Sequence, residues 1–143
     1  ELAGFFYQQA VEERNHAMML LKFQMDTGRS AALPGVSTPR SDFSAPVEPV
    51  QLALAQERRV TEQITALANA ARAESDYQAE QFIQWFIKEQ VEEVSSMSDL
   101  LTVVQRLIDS PMQIEDHLAR EMAASAGGTV DPTAPAQAGG ASA

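Results

Sequence analysis

Glu13 and His16 are separated only by Arg14 and Asn15, in a segment of strongly helical composition. Side chains three apart on a helix leave it on the same side, so a carboxylate and an imidazole at this spacing can ligate one ion. An oxygen-rich set with a single imidazole suits iron or manganese; zinc more often recruits several histidines or cysteines. Glu-x-x-His alone is common by chance. A lone histidine among apolar residues is usually a hydrogen-bonded core residue, and a lone glutamate on a helical stripe usually keeps its carboxylate in water. The combination is what changes the reading. Glu57, Glu89 and Glu93 interrupt two further apolar stripes, and no lysine or arginine lies on any of the three. Carboxylates brought together in a core cost several kcal/mol each and repel one another. A bound cation offsets both effects.

The elements that must position these residues are legible from periodicity. Leu2 to about Thr27 contains no proline and is rich in Ala, Leu, Met, Gln and Glu, all good helix formers. Phe6, Gln9, Glu13, His16, Leu20 and Phe23 follow steps of three and four and share one face, and Gly28 is a natural stop. Between Gly28 and Val47, Pro34, Pro39, Pro46 and Gly35 forbid a regular helix. A loop this long needs a reason. About 20 residues at up to ~3.3 Å each can run back along a helix of about 40 Å. Such a crossover joins two parallel helices of a bundle.

The second helix is expected from Pro46 or Pro49 to about Ala73, with the stripe Val50, Ala53, Glu57, Val60, Ile64, Leu67, Ala71. The short turn Glu74-Ser75-Asp76 sends the third helix back antiparallel, over Tyr77 to about Ile108. Its inner face reads Phe82, Phe86, Glu89, Glu93, Met97, Leu100, Val104, Leu107. Ser110, Pro111 and Gln113 supply an N-cap, a proline at the first helical position and a capping-box glutamine for a short fourth helix ending near Ala124. Residues 1–124 therefore form one helical domain, and 125–143, mostly Ala, Gly, Pro and Thr, read as a disordered tail. No strand pattern and no internal repeat competes.

Composition narrows the function classes. The 143 residues are 45% hydrophobic, enough for one domain with a sizeable core. Twenty acids against ten bases, a net charge of -10, disfavour nucleic-acid binding and favour attraction of cations. The absence of cysteine excludes disulfides and thiolate-metal sites and is compatible with a cytoplasmic location. No apolar run approaches the ~20 residues of a membrane span, and no signal-peptide pattern is present.

FYQQAVEERNHAMML, LALAQERRVTEQI and FIQWFIKEQVEEV together resemble the bacterial non-haem ferritin family, in register over about Leu2 to Ala124. The resemblance implies an all-α, ferritin-like four-helix bundle with a long crossover and a short C-terminal helix. It further implies a homo-oligomeric cage of about 24 subunits, which oxidises Fe(II) with O2 or H2O2 and stores the product as mineral. Carried over by motif, Glu13 and His16 bind the first iron of a di-iron site; Glu57, Gln90 and Glu93 match the second. Glu12, Glu89 and Glu92 match a nearby third site, with Glu93 shared. Bacterioferritin relatives carry a second Glu-x-x-His where this chain has Gln90-Val91-Glu92-Glu93, and a haem-ligating methionine where it has Arg14. No haem is expected, and Met18 and Met19 read as core or interface filler. Replacing a Glu-His pair by Gln90 and Glu93 makes the two iron positions unequal, the second the looser.

Trp85, one turn before Glu89, reads as core packing, with a role in absorbing one-electron oxidants as the other possibility. Asp76 and Glu80 fall where the family lines its threefold pore, and solvated surface acids explain them almost as well. The family has four long helices, and the sequence supplies three. The first, with its bridging glutamate, is absent from this chain, so these residues alone are expected neither to assemble properly nor to oxidise iron quickly. A non-catalytic cage or partner subunit with an incomplete metal site is the alternative function, and a plain helical interaction module leaves the buried glutamates unexplained.

Overall fold

The computed structural model describes residues 1–125 and 131–139, and all regular structure among them is α-helical. The helices are α1 (Leu2–Asp26), α2 (Val47–Ala73), α3 (Tyr77–Arg106) and α4 (Pro111–Ser125). Each boundary falls within about two residues of its sequence-based expectation. Residues 126–130 and 140–143, part of the segment read as a tail, lie outside the described residues. The chain divides into two compact units, Asp42–Ile114 and Glu1–Ser41 together with the described residues from Glu115 onward. Among the described residues no helix is long and apolar enough to cross a membrane.

Two helix ends are closed by the same device. Gly28, at φ 72°, follows α1, and the Gly28 and Arg29 N–H groups donate to the Met25 and Gln24 carbonyls at 3.0 and 2.9 Å. The paired bonds satisfy carbonyls that the helix end would leave open, and the left-handed residue turns the chain aside. At the end of α2 the left-handed position is taken by Ser75, at φ 55°, with Ser75 and Asp76 donating to Arg72 and Ala71 at 3.1 and 2.9 Å. Asp76 then starts α3, its carboxylate accepting from the Ala79 N–H at 3.0 Å. One three-residue turn thus ends one helix and caps the next. This reverses the chain and lays α3 antiparallel along α2.

The α2–α3 pair forms the core of its unit. Val50, Leu54, Ile64 and Ala68 of α2 and Ile83, Phe86, Met97, Leu100 and Val104 of α3 are buried. Each large apolar side chain removed from water contributes roughly 1.5–3 kcal/mol. The α3 face keeps Phe86, Glu93, Met97, Leu100 and Val104 of the expected one, while Phe82, Glu89 and Leu107 are half-buried and Ile83 and Gln90 are buried as well. The α2 face is rotated from expectation: Leu67 is 49% exposed, and the burial assigned to it falls on Ala68 and Leu54. Adjacent helix positions differ by about 100°, and the facing helix, not the stripe itself, decides which edge is covered.

In the other unit the start of α1 lies against α4. The Leu2 N–H donates to the Glu115 carboxylate at 3.3 Å. A Cβ on Gly4 would meet the Met122 side chain at 3.4 Å. Residues 131–139 hold no helix or strand, and the Ala138 N–H donates to the Met18 carbonyl at 3.1 Å. Ile114 and Leu118, one turn apart, are the buried residues of α4.

Candidate metal centre

The two halves of the motif set lie on different elements and are built differently. On α1, Glu13 and His16 leave the helix on one side, with Glu13 Oε2 3.7 Å from His16 Nδ1. That separation is too long for a hydrogen bond, and suits two groups addressing a common point. His16 is buried, while the Glu13 side chain keeps 44% of its surface in solvent. Glu12 is exposed and accepts from the Gln9 amide at 2.9 Å.

Glu57 of α2 and Gln90 of α3 meet directly inside the Asp42–Ile114 unit. The Gln90 Nε2 group donates to Glu57 Oε2 at 3.4 Å, a long bond. Thr61, one turn after Glu57 and half-buried, places its hydroxyl 2.8 Å from Gln90 Oε1 and 2.8 Å from the Glu57 backbone carbonyl. Glu93 lies three residues beyond Gln90, on the same side of α3, and is buried. Glu89 is half-buried and Glu92 exposed. Sequence reasoning missed Thr61. The one available signal was its place four residues after Glu57, which puts a hydroxyl on the glutamate's own face.

His16, Glu57, Gln90 and Glu93 are also the buried polar side chains among the described residues, at 9%, 5%, 6% and 7% exposure. All four are of metal-ligating type, and all ten lysines and arginines are exposed or half-exposed. A core without buried cations but with two buried carboxylates has chemistry that a multivalent ion matches. Phe86 and Met97, on either side of these residues along α3, are buried and keep that stretch of the face apolar.

The remaining acids have local structural partners. Asp76 caps α3, and Glu80 accepts from Arg72 Nε and Nη2 at 3.0 and 2.8 Å across the α2–α3 turn. Trp85 is half-buried and packs edge-on against Phe86, with ring centroids 4.9 Å apart, as core packing requires. Met19 is buried and Met18 half-buried.

Comparison with known proteins shows the family. Residues 1–107 match the ferritin-like domain model. Ferritin BfrB of Mycolicibacterium smegmatis is 50% identical over 141 residues, which cover 99% of this chain and 76% of that protein. A bacterial non-heme ferritin of Staphylococcus aureus is 38% identical over 107 residues, 75% of this chain and 64% of that protein. Among solved structures, the open-pore ferritin of Archaeoglobus fulgidus superposes with a TM-score of 0.71 at 32% identity, covering 79% of this chain and 69% of that one. Sequence and architecture together place this all-α chain, with its ferritin-like four-helix-bundle fold, in the ferritin family of iron-storage proteins.

Proposed function

We propose that the chain oxidises Fe(II) as a subunit of an iron-storing ferritin cage. Carried over by family motif, Glu13 and His16 take one Fe(II), Glu57, Gln90 and Glu93 take a second, and Glu12, Glu89 and Glu92, with Glu93 shared, correspond to the family's third site. The observation that carries this reading is the buried polar inventory of the described residues: His16, Glu57, Gln90 and Glu93, while all ten lysines and arginines are exposed or half-exposed. A fold that needed polar groups only for helix packing would not choose two carboxylates and leave every cation at the surface.

The substrates are two Fe(II) ions and an oxidant. Each Fe(II) gives up one electron. O2 takes two electrons and two protons to become H2O2, or H2O2 takes two electrons and two protons to become two waters, leaving two Fe(III). The residues contribute charge and position. Anionic carboxylates interact more strongly with a triply than a doubly charged ion, so ligation by Glu13, Glu57 and Glu93 favours the oxidised product. Gln90 brings an oxygen donor without a charge, which makes the second position the weaker and favours onward release of Fe(III). Glu12 and Glu92, both exposed, receive the ion as it leaves. A homo-oligomer of about 24 subunits encloses the product, and no haem takes part.

Stopped-flow absorbance of Fe(II) oxidation tests this. His16→Ala is expected to slow the initial phase by about 10-fold or more, since it removes a direct ligand. An unchanged rate would remove His16 from the site. Oxidation by the unsubstituted protein no faster than by buffer would favour a non-catalytic cage subunit.

A further inference from the structure

Thr61 carries a hydroxyl with one proton and two acceptors at equal distance: Gln90 Oε1 and the Glu57 backbone carbonyl, each 2.8 Å away. Gln90 in turn points its –NH2 group at the Glu57 carboxylate and its carbonyl oxygen at Thr61. An amide nitrogen cannot ligate a cation, whereas the amide oxygen can. The amide direction seen here therefore pairs with Glu57 and is the wrong one for ligation.

We propose that Thr61 is a positioning residue whose hydroxyl lets the Gln90 amide turn over when Fe(II) binds beside Glu57. The inference rests on the reading of Gln90 as a ligand. Rotation by about 180° about the terminal torsion, which is broad and nearly two-fold, brings Oε1 to the Glu57 side and Nε2 to the Thr61 side. After the turn Thr61 must accept rather than donate. A threonine hydroxyl does either, provided that its proton has somewhere to go. Here it has: the proton swings from Gln90 Oε1 to the Glu57 carbonyl, a bond commonly made by threonine within a helix. Every polar group thus keeps a partner in both states, and no proton is taken from or given to solvent. Without the hydroxyl, the turned amide leaves a buried N–H donor with no acceptor, a larger loss than that of the under-satisfied carbonyl oxygen before the turn. The same rotor explains how a neutral glutamine, 6% exposed, can serve as a ligand in one state and as the hydrogen-bond partner of a buried carboxylate in the other.

Anaerobic calorimetric titration with Fe(II) alone tests the proposal in the purified protein and in Thr61→Val, Thr61→Ala, Thr61→Ser, Gln90→Ala and the Thr61→Val/Gln90→Ala double variant. Thr61→Val and Thr61→Ala are expected to weaken one of two binding events by about 10-fold or more, and to leave the other within about twofold. Thr61→Ser, which keeps the hydroxyl, is expected to restore wild-type affinity. On the Gln90→Ala background, Thr61→Val is expected to change nothing further, because Thr61 acts through Gln90. A loss of the same size on that background, or no loss in either single variant, overturns the Thr61 proposal while leaving the ligand reading intact. Absence of saturable Fe(II) binding in the unsubstituted protein overturns the ligand reading, and this proposal with it.

Discussion

Replacing Glu93 by methionine separates a carboxylate kept for metal from one kept for folding. Glu93 is 7% exposed on the α3 face that packs against α2, between buried Phe86 and Met97. Methionine has nearly the same length, is unbranched where the carboxylate forks, and carries no charge to desolvate. The effective penalty of a buried ion is several kcal/mol, and the like charge of Glu89, one turn earlier on α3, adds to it. Glu93→Met is therefore expected to raise stability by about 1–2 kcal/mol in the presence of chelator. Added metal should reverse the order. At a free Co(II) concentration 100 times its Kd for the second position, binding there stabilises the unsubstituted protein by about 2.7 kcal/mol, and a variant that lacks this position forgoes that gain while keeping the one from Glu13 and His16. The assay is denaturant unfolding followed by circular dichroism, with chelator and with excess Co(II) as a redox-inert probe. Two curves that cross between the two conditions are the expected result. A Glu93→Met protein less stable than the unsubstituted one by 2 kcal/mol or more in chelator would make Glu93 a structural hydrogen-bonding residue and refute the reasoning.

Other expectations test the frame around the site. Met97→Ala removes a side chain that is 2% exposed at the α2–α3 contact, and should cost about 2–5 kcal/mol in the same unfolding assay. Ser75→Gly relieves a non-glycine residue at φ 55° in the α2–α3 turn and should stabilise by about 0.5–1 kcal/mol. Arg72→Ala breaks a pair whose arginine is 69% exposed, so its effect should stay within about 1 kcal/mol and shrink with added salt. Iron analysis after aerobic purification should find fewer than two firmly retained ions per subunit, because Gln90 weakens the second position; two would contradict that inequality.

The helices were legible because their signals are local. Gly28 and the prolines of 34–46 bound α1 and its loop, and Asp76 and Pro111 start α3 and α4, each through a backbone requirement that the residue itself meets. Which side of a helix becomes buried is set by its partner. That is why Leu67 and Ala68 exchanged places, while the α3 face was read more closely: large apolar residues run along it from Phe82 to Leu107 on both sides of Glu89 and Glu93, whereas α2 offers several alanines of nearly equal claim. Glu13, His16, Glu57 and Glu93 stood out because ionisable groups on an apolar stripe are costly, whereas neutral Gln90 entered through the family resemblance. Thr61 did not, since a threonine at the edge of a stripe has no such cost and its partner Gln90 is 29 residues away. Asp76 and Glu80 drew attention as acids, yet their partners Ala79 and Arg72 give them ordinary structural work.

The central claim is that two groups of side chains each hold an Fe(II) substrate. Crystals soaked anaerobically in Fe(II) and measured with anomalous diffraction at the iron edge address it directly. One iron peak is expected at Glu13 and His16, and a second, of lower occupancy, at Glu57, Gln90 and Glu93. Iron confined to exposed acids, with no peak at His16 or Glu57, would contradict it.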